Sequence, residues 1–218
     1  MRLLKSALLV CLMSAPVLAE AEVELSFYGG AQNSPHSDVI ISGDSVIPDD
    51  GYFIAWEGRS FDPPPYYGLR ATYWRSETFG YGVDFTHNKL YPQEGELGAI
   101  GFDRLEFTDG LNTLTVNAYR RWNGAWGDFT PYVGGGVGVA IPHVEVEYPG
   151  AEETRGYQLT GPAATWIAGA KYPINDDWAV FGEYKGTYSV NTADLESGGT
   201  LESNIITNAV NFGVSFSF

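Results

Sequence analysis

Histidine occurs at only three positions, 36, 87 and 143, and two of them stand in company that could do chemistry. His87 lies in DFTHNKLY, three residues after Asp84, and His143 lies in IPHVEVE, two residues before Glu145. An imidazole beside carboxylates is the raw material for general acid–base work or for holding a divalent cation. Asp84, His87, His143 and Glu145 are therefore the candidate catalytic residues, and His87, His143 and Glu145 the candidate metal ligands. His36, in NSPHSD, reads as a solvent-facing loop residue. A second group is of another kind. The segments GYFIAWEGRSFDPPPYYG and GFDRLEFTDGLN mix large rings with guanidinium groups: Trp56 with Arg59, and Phe102 and Phe107 with Arg104, with Glu106 alongside. Aromatic contact combined with phosphate pairing suits an amphiphile, so Trp56, Arg59, Arg104 and Glu106 are the candidate substrate-binding residues. The competing reading of the same segments is a cap of loops packed on itself. No dinucleotide fingerprint is present, and a flavin or nicotinamide domain has no room. The cofactor is left open, a divalent or redox metal being the candidate.

The elements that must position these groups begin after a leader. Residues 1–19, MRLLKSALLVCLMSAPVLA, carry Arg2 and Lys5, an apolar run and small residues at cleavage-type positions. That is the pattern of a secretory signal peptide, with cleavage after 19 or after 21, which leaves residues 20–218 as one domain. The single cysteine, Cys11, falls inside the leader, so the mature chain has no disulfide framework and no cysteine metal site. Without Arg2 and Lys5, 10 basic residues face 27 acidic ones. So negative a chain is a poor partner for nucleic acid. No mature segment approaches the ~18 uninterrupted apolar residues of a spanning helix.

Instead, alternation at period two runs through eight segments, 23–32, 67–74, 79–90, 111–121, 129–146, 157–172, 178–190 and 204–218. In the last, NAVNFGVSFSF, Val210, Phe212, Val214, Phe216 and Phe218 alternate with Ala209, Asn211, Gly213, Ser215 and Ser217. The connections alternate too: short near 75–78, 122–128 and 173–177, long across 33–66, 91–110, 147–156 and 191–203. Short turns at one end and long loops at the other predict an all-β, eight-stranded antiparallel transmembrane barrel of the outer-membrane type. Trp74, Trp122, Trp126 and Trp178 lie beside the short turns, joined by Phe79, Phe129, Tyr132, Tyr172, Phe216 and Phe218, which predicts an interfacial aromatic girdle. A soluble lipocalin-like barrel would leave that girdle and the terminal Phe218 without a reason.

Eight strands leave a lumen that side chains fill. Parity sends Arg70, Asp84, Asn117, Lys171, Glu183, Lys185 and Thr187 inward, where opposite charges must pair. The glycines at 134, 136 and 138 make room for them. His87 and His143 fall on the lipid-side parity at the upper ends of their strands, unless a bulge at Pro142 turns His143 and Glu145 inward.

At a finer level, WEGRSFDPPPYYGLRATYW, YGVDFTHNKLY, FDRLEFTDGLNTLTVNAYRRW, TPYVGGGVGVAIPHVEVE, GPAATWIAGAKYPINDDWAVFGEYKGTYSVN and ITNAVNFGVSFSF together resemble the alphaproteobacterial outer-membrane proteins identified as lipid A oxidases, within the OmpA-like and opacity-type barrel group. The resemblance implies oxygen-dependent oxidation of the proximal glucosamine of lipid A to 2-aminogluconate. It implies lipid A or lipopolysaccharide and outer-membrane lipids as partners, the cell outer membrane as the location, and a terminal Phe218 read by the barrel assembly machinery. Two alternatives compete. One is a non-catalytic OmpA-like barrel with a structural or surface-binding role. The other is an outer-membrane deacylase, which would need a late His and Ser pair, and no histidine follows His143.

Overall fold

The computed structural model describes residues 22–218, so the expected signal peptide lies outside the described residues. The elements in chain order are β1 (Glu22–Asn33), β2 (Ser37–Ser42), β3 (Asp50–Ile54), β4 (Trp56–Glu57), β5 (Tyr67–Trp74), β6 (Phe79–Pro92), α1 (Glu96–Ile100), β7 (Arg104–Arg121), β8 (Thr130–Glu147), β9 (Thr154–Tyr157), β10 (Gly161–Pro173), β11 (Trp178–Asp194) and β12 (Thr200–Ser217). Eight of these close a ring, β1–β5–β6–β7–β8–β10–β11–β12 and back to β1, with every pairing antiparallel. Closure satisfies every strand's backbone within the protein, the condition hydrocarbon imposes.

The two faces of each strand divide as the alternation requires. On β12, Val210, Phe212 and Val214 are exposed, while Ala209, Asn211 and Ser215 are buried. Leu25, Phe27, Leu69, Tyr81, Val83, Val116 and Val137 continue the outward apolar band, as a lipid-facing wall demands. Inside, Arg70 bonds Asp84 at 2.8 Å and Glu183 through both terminal nitrogens at 2.8 and 2.9 Å. Lys185 reaches Asp84 at 2.9 Å and the Tyr28 hydroxyl at 2.8 Å, and Lys171 pairs with Glu24. Tyr132 and Asn211 complete Glu183 at 2.6 and 3.2 Å. Glycines admit these large inward rings: a Cβ on Gly68 would overlap Tyr28, and one on Gly134 would overlap Tyr119.

Three features differ from the sequence expectation. Trp74 and Tyr132 are buried in the lumen, not in the girdle; Trp74 lies under the Arg121 guanidinium at 4.0 Å and bonds Glu24 at 3.3 Å. Nearness to a turn sets height, but parity decides the side. The expected long loop at 191–203 is mostly strand, because β11 and β12 stay paired from Trp178–Phe216 up to Asp194–Thr200. Likewise most of GFDRLEFTDGLN is the start of β7, and the intervening loop carries the five-residue α1.

The strands thus outrun the membrane, and above it they enclose a second apolar core. Val39, Ile41, Ile54, Trp56, Leu90, Phe102, Leu105, Phe107, Leu111, Val144, Leu201 and Ile205 are all buried there. The β2–β3 hairpin leans on β12, β4 on β6 and β9 on β8 to close it. At ~1.5–3 kcal/mol for each large apolar side chain withdrawn from water, this cap is a substantial stabilising unit in its own right.

Candidate functional site

The site is built where β7 and β8 leave the membrane band. Glu106 pairs with Glu145 and Leu111 with Pro142, so residues 107–110 of β7 lie opposite only His143 and Val144. The surplus residues form a bulge on β7, and Gly110, at φ +108°, supplies a backbone conformation that a side chain would strain. The bulge swings Asp109 toward β8. There one ligand atom each from Asp109, His143 and Glu145 falls within 4.8 Å of the others. His143 Nδ1 is 3.1 Å from Glu145 Oε1 and 3.9 Å from Asp109 Oδ2. The first is a close approach without hydrogen-bond alignment, and Nδ1 is buried with no hydrogen-bond partner among the described residues.

Pro142 does not turn this group inward. β8 keeps its parity, and His143 and Glu145 lie on the same outward side as Val137, covered there by neighbouring side chains. Tyr157 of β9 meets His143 edge-on at 4.8 Å. Arg104 joins Glu145 at 2.8 Å, Glu147 at 3.0 Å and Glu106 at 3.4 Å, and Arg155 approaches Glu145 at 3.8 Å. Burial pushes the Glu106 carboxyl above its ordinary range; Arg104 opposes that shift and Glu145 adds to it. The bond to Glu145 raises the Arg104 guanidinium further.

His87 sits nearby on the outward parity of β6 but is 5% exposed, not open to lipid. It pairs across strands with Tyr67 and Asn112. The Tyr67 ring stacks on it at 5.2 Å, and its Nδ1 lies 2.8 Å from Asn112 Oδ1. Its Nε2 is buried with no partner among the described residues. A buried polar nitrogen left without a partner costs about 1–3 kcal/mol.

The remaining candidates separate. Asp84 is fully buried in the lumen network, on the other side of the wall from His87 and His143, so it belongs with Arg70 and Lys185 and not with the histidines. Trp56 is 1% exposed within the cap core and donates its indole N–H to Ser37 at 2.7 Å, so it is a packing residue of the cap and not a surface for an amphiphile. The apolar composition that suggested lipid contact there records a packed cap. Arg59 is exposed, ion-paired with Glu57 and over the Tyr91 ring at 4.6 Å. Among the sequence candidates, His143, Glu145, Arg104 and Glu106 come together; His87 is outside the ligand group, and Asp109 takes the place expected of His87. Asp109, Asn112, Tyr157 and Arg155 were missed. The Asp-Gly dipeptide at 109–110 inside an otherwise alternating strand is a bulge signal that would have found the first.

Known proteins agree on the scaffold. Residues 6–218 match the family described as outer membrane protein beta-barrel domain. Comparison with curated proteins finds no match. Among solved structures, Neisserial surface protein A aligns over 91% of this chain and 97% of its own, with 14% identity and a TM-score of 0.50. A major outer membrane protein from Thermus thermophilus aligns over 91% and 99%, with 11% identity and a TM-score of 0.51. Identities this low speak for the fold alone. The closed ring, its lipid-facing band and the match across nearly the whole chain lead to one conclusion: this protein belongs to the outer membrane protein beta-barrel domain family and resides in the outer membrane.

Proposed function

We propose that this barrel is an outer-leaflet lipid A oxidase, acting on the proximal glucosamine from the outer wall. The observation that carries the reading is the grouping of Asp109, His143 and Glu145 on the outward face, above the lipid-facing band, with Arg104 and Arg155 beside it. That is the height of a glycolipid headgroup, and guanidinium groups suit its phosphates. In the reaction, two electrons and two protons leave the C1 hemiacetal for molecular oxygen. Hydrogen peroxide and a lactone result, and water opens the lactone to 2-aminogluconate.

A carboxylate, imidazole and carboxylate set fits a divalent first-row metal, and Asp109, His143 and Glu145 would hold it. Bound there, such a metal would supply the electron path to oxygen that these side chains lack. The residues themselves bind and orient: Arg104 holds Glu145 in place, Tyr157 holds the His143 ring, and Arg155, 60% exposed, is available to a phosphate. Outer-membrane lipids and lipopolysaccharide are the proposed partners.

The test is to incubate the purified barrel with lipid A lacking the 1-phosphate and to follow the mass. A gain of one oxygen, lost in His143→Ala and Asp109→Asn together with the bound metal, supports the reading. Full activity in both variants without bound metal rejects this site. A non-catalytic barrel that binds through its surface is the second reading, favoured by the tightly packed cap. No oxygen gain under any metal supplied decides for it.

A further inference from the structure

At the short-turn end of the barrel the lipid-facing wall is uneven. The β7–β8 turn is held by the Trp122 N–H on the Pro131 carbonyl at 3.0 Å and the Phe129 N–H on the Trp126 carbonyl at 3.3 Å, and the Trp126 indole is left 65% exposed. Beside the turn the wall recedes, because β10 offers only Ala168 and Ala170 on its outward parity between Trp166 and Tyr172, and Gly182 of β11 stands opposite Ala170. A groove of about 650 Å³ results, walled by Trp122 and Trp126 and floored by Pro131, Val133, Ala168 and Ala170. It is apolar and continuous with the lipid-facing band, which Val133 and Val137 carry on upward.

One charge stands beside this groove. Phe79, Arg120, Val133, Ala168 and Tyr184 form a single outward row across the strands. Arg120 is exposed, and among the described residues it is the only charged side chain on the outward parity between the short turns and the level of Phe85. Its guanidinium lies over the ring of Trp122, itself a wall of the groove, at 5.7 Å, and meets no carboxylate among the described residues. A lone cation facing hydrocarbon is unfavourable, and a lipid phosphate at the interface neutralises it through paired N–H donors. Bulk lipid touches the whole wall; here an apolar trough and a phosphate-pairing group share one indole at headgroup depth. The short turns mark the periplasmic side. We propose that the groove seats one glycerophospholipid of the periplasmic leaflet, its phosphate on Arg120, its glycerol beside Trp122 and an acyl chain over Ala170 and Ala168. This goes beyond the oxidation and rests only on the location in the outer membrane, for the groove lies at the opposite end of the barrel from Asp109, His143 and Glu145.

The experiment is native mass spectrometry of the delipidated barrel in detergent. It is titrated with dioleoyl phosphatidylglycerol, whose only charge is its phosphate, and with dioleoylglycerol, which has the same chains and no phosphate. The expected result is one tightly held phosphatidylglycerol and no comparable retention of dioleoylglycerol. Arg120→Gln should weaken retention roughly tenfold, the effect of losing a charge-assisted contact, and Arg120→Lys should keep most of it. Ala168→Phe fills the groove with Arg120 still in place and should also lose the lipid, whereas Val83→Phe, elsewhere on the outward wall, should not. All three positions face outward, so the variants should melt with the parent; Ala170→Leu repeats the groove test if Ala168→Phe does not fold. Equal retention by the parent, Arg120→Gln and Ala168→Phe, or equal retention of the two lipids, overturns the proposal. So does a dimer that takes the place of bound lipid and disappears in Ala168→Phe, which would make the groove an interface between copies.

Discussion

Arg70 and Glu183 meet fork to fork in the lumen, Nη1 at 2.9 Å from Oε2 and Nη2 at 2.8 Å from Oε1, while the Arg70 Nε holds Asp84 at 2.8 Å. One guanidinium thus neutralises carboxylates from β6 and β11, tying distant walls of the ring together. Stripping one partner from a buried charge pair typically costs about 3–5 kcal/mol, because the other charge stays buried and unpaired. Arg70→Met should therefore lower the urea midpoint of the folded barrel strongly, and Glu183→Gln less, since it leaves Arg70 its bond to Asp84. Equal, small effects from both would contradict the network.

Trp56 anchors the cap and not the membrane span. Trp56→Ala removes a buried indole, its contact with Phe107 at 6.2 Å between centroids, and its bond to Ser37. Large-to-small changes of this size cost about 3–5 kcal/mol. The cap strands should then exchange amide hydrogens faster and become sensitive to protease, while the lipid-facing spans keep their protection. Unchanged protection in β2, β3 and β4 would show that the cap does not depend on this side chain.

Acid should relieve the outer site locally. The folded state raises the Glu106 carboxyl above its ordinary value of 4.5, chiefly by burial. A raised carboxyl contributes stability that is fully present below its unfolded value and lost as pH rises through the folded one. Glu106→Gln copies the protonated form, so it should melt higher than the parent at neutral pH, and the difference should vanish below the ordinary carboxyl value. Melting of both proteins across that range checks the sign; a variant less stable at neutral pH reverses it.

The Phe218 ring is 67% exposed and touches Phe216 at 5.9 Å between centroids, while its backbone exchanges two hydrogen bonds with Val23 at 3.0 Å, so Phe218→Ala, which keeps those bonds, should hardly change the finished barrel. We propose, on the family resemblance, that the assembly machinery reads this ring, so Phe218→Ala should lower the amount inserted in cells. The melting temperature of protein refolded in detergent should stay the same. Loss of both to the same degree would mark the residue as structural only.

Much of this was legible before any fold was drawn. The lumen set Arg70, Asp84, Lys171, Glu183 and Lys185 follows from counting by twos, because side chains on a pleated strand alternate without exception until a bulge intervenes. The site was less legible for the same reason. Asp109 joins His143 through the extra residues at 107–110, and a bulge resets parity in a way that counting cannot follow. Trp74 was misplaced because aromatic residues serve a membrane girdle and a packed lumen equally well, and only its register opposite Glu22 and Gly80 separates the two.

By itself the sequence determined the barrel: period-two alternation, alternating loop lengths and a charged inward parity leave closure in a membrane as the way to satisfy both backbone and charge. Only the tertiary structure decided that the long loops make a cap with its own core, that Asp109 reaches His143 and Glu145 from the neighbouring strand, and that the Tyr67 ring and Asn112 flank His87. These are relations between residues distant in the chain, set by register and by one irregular strand, and no local pattern encodes them.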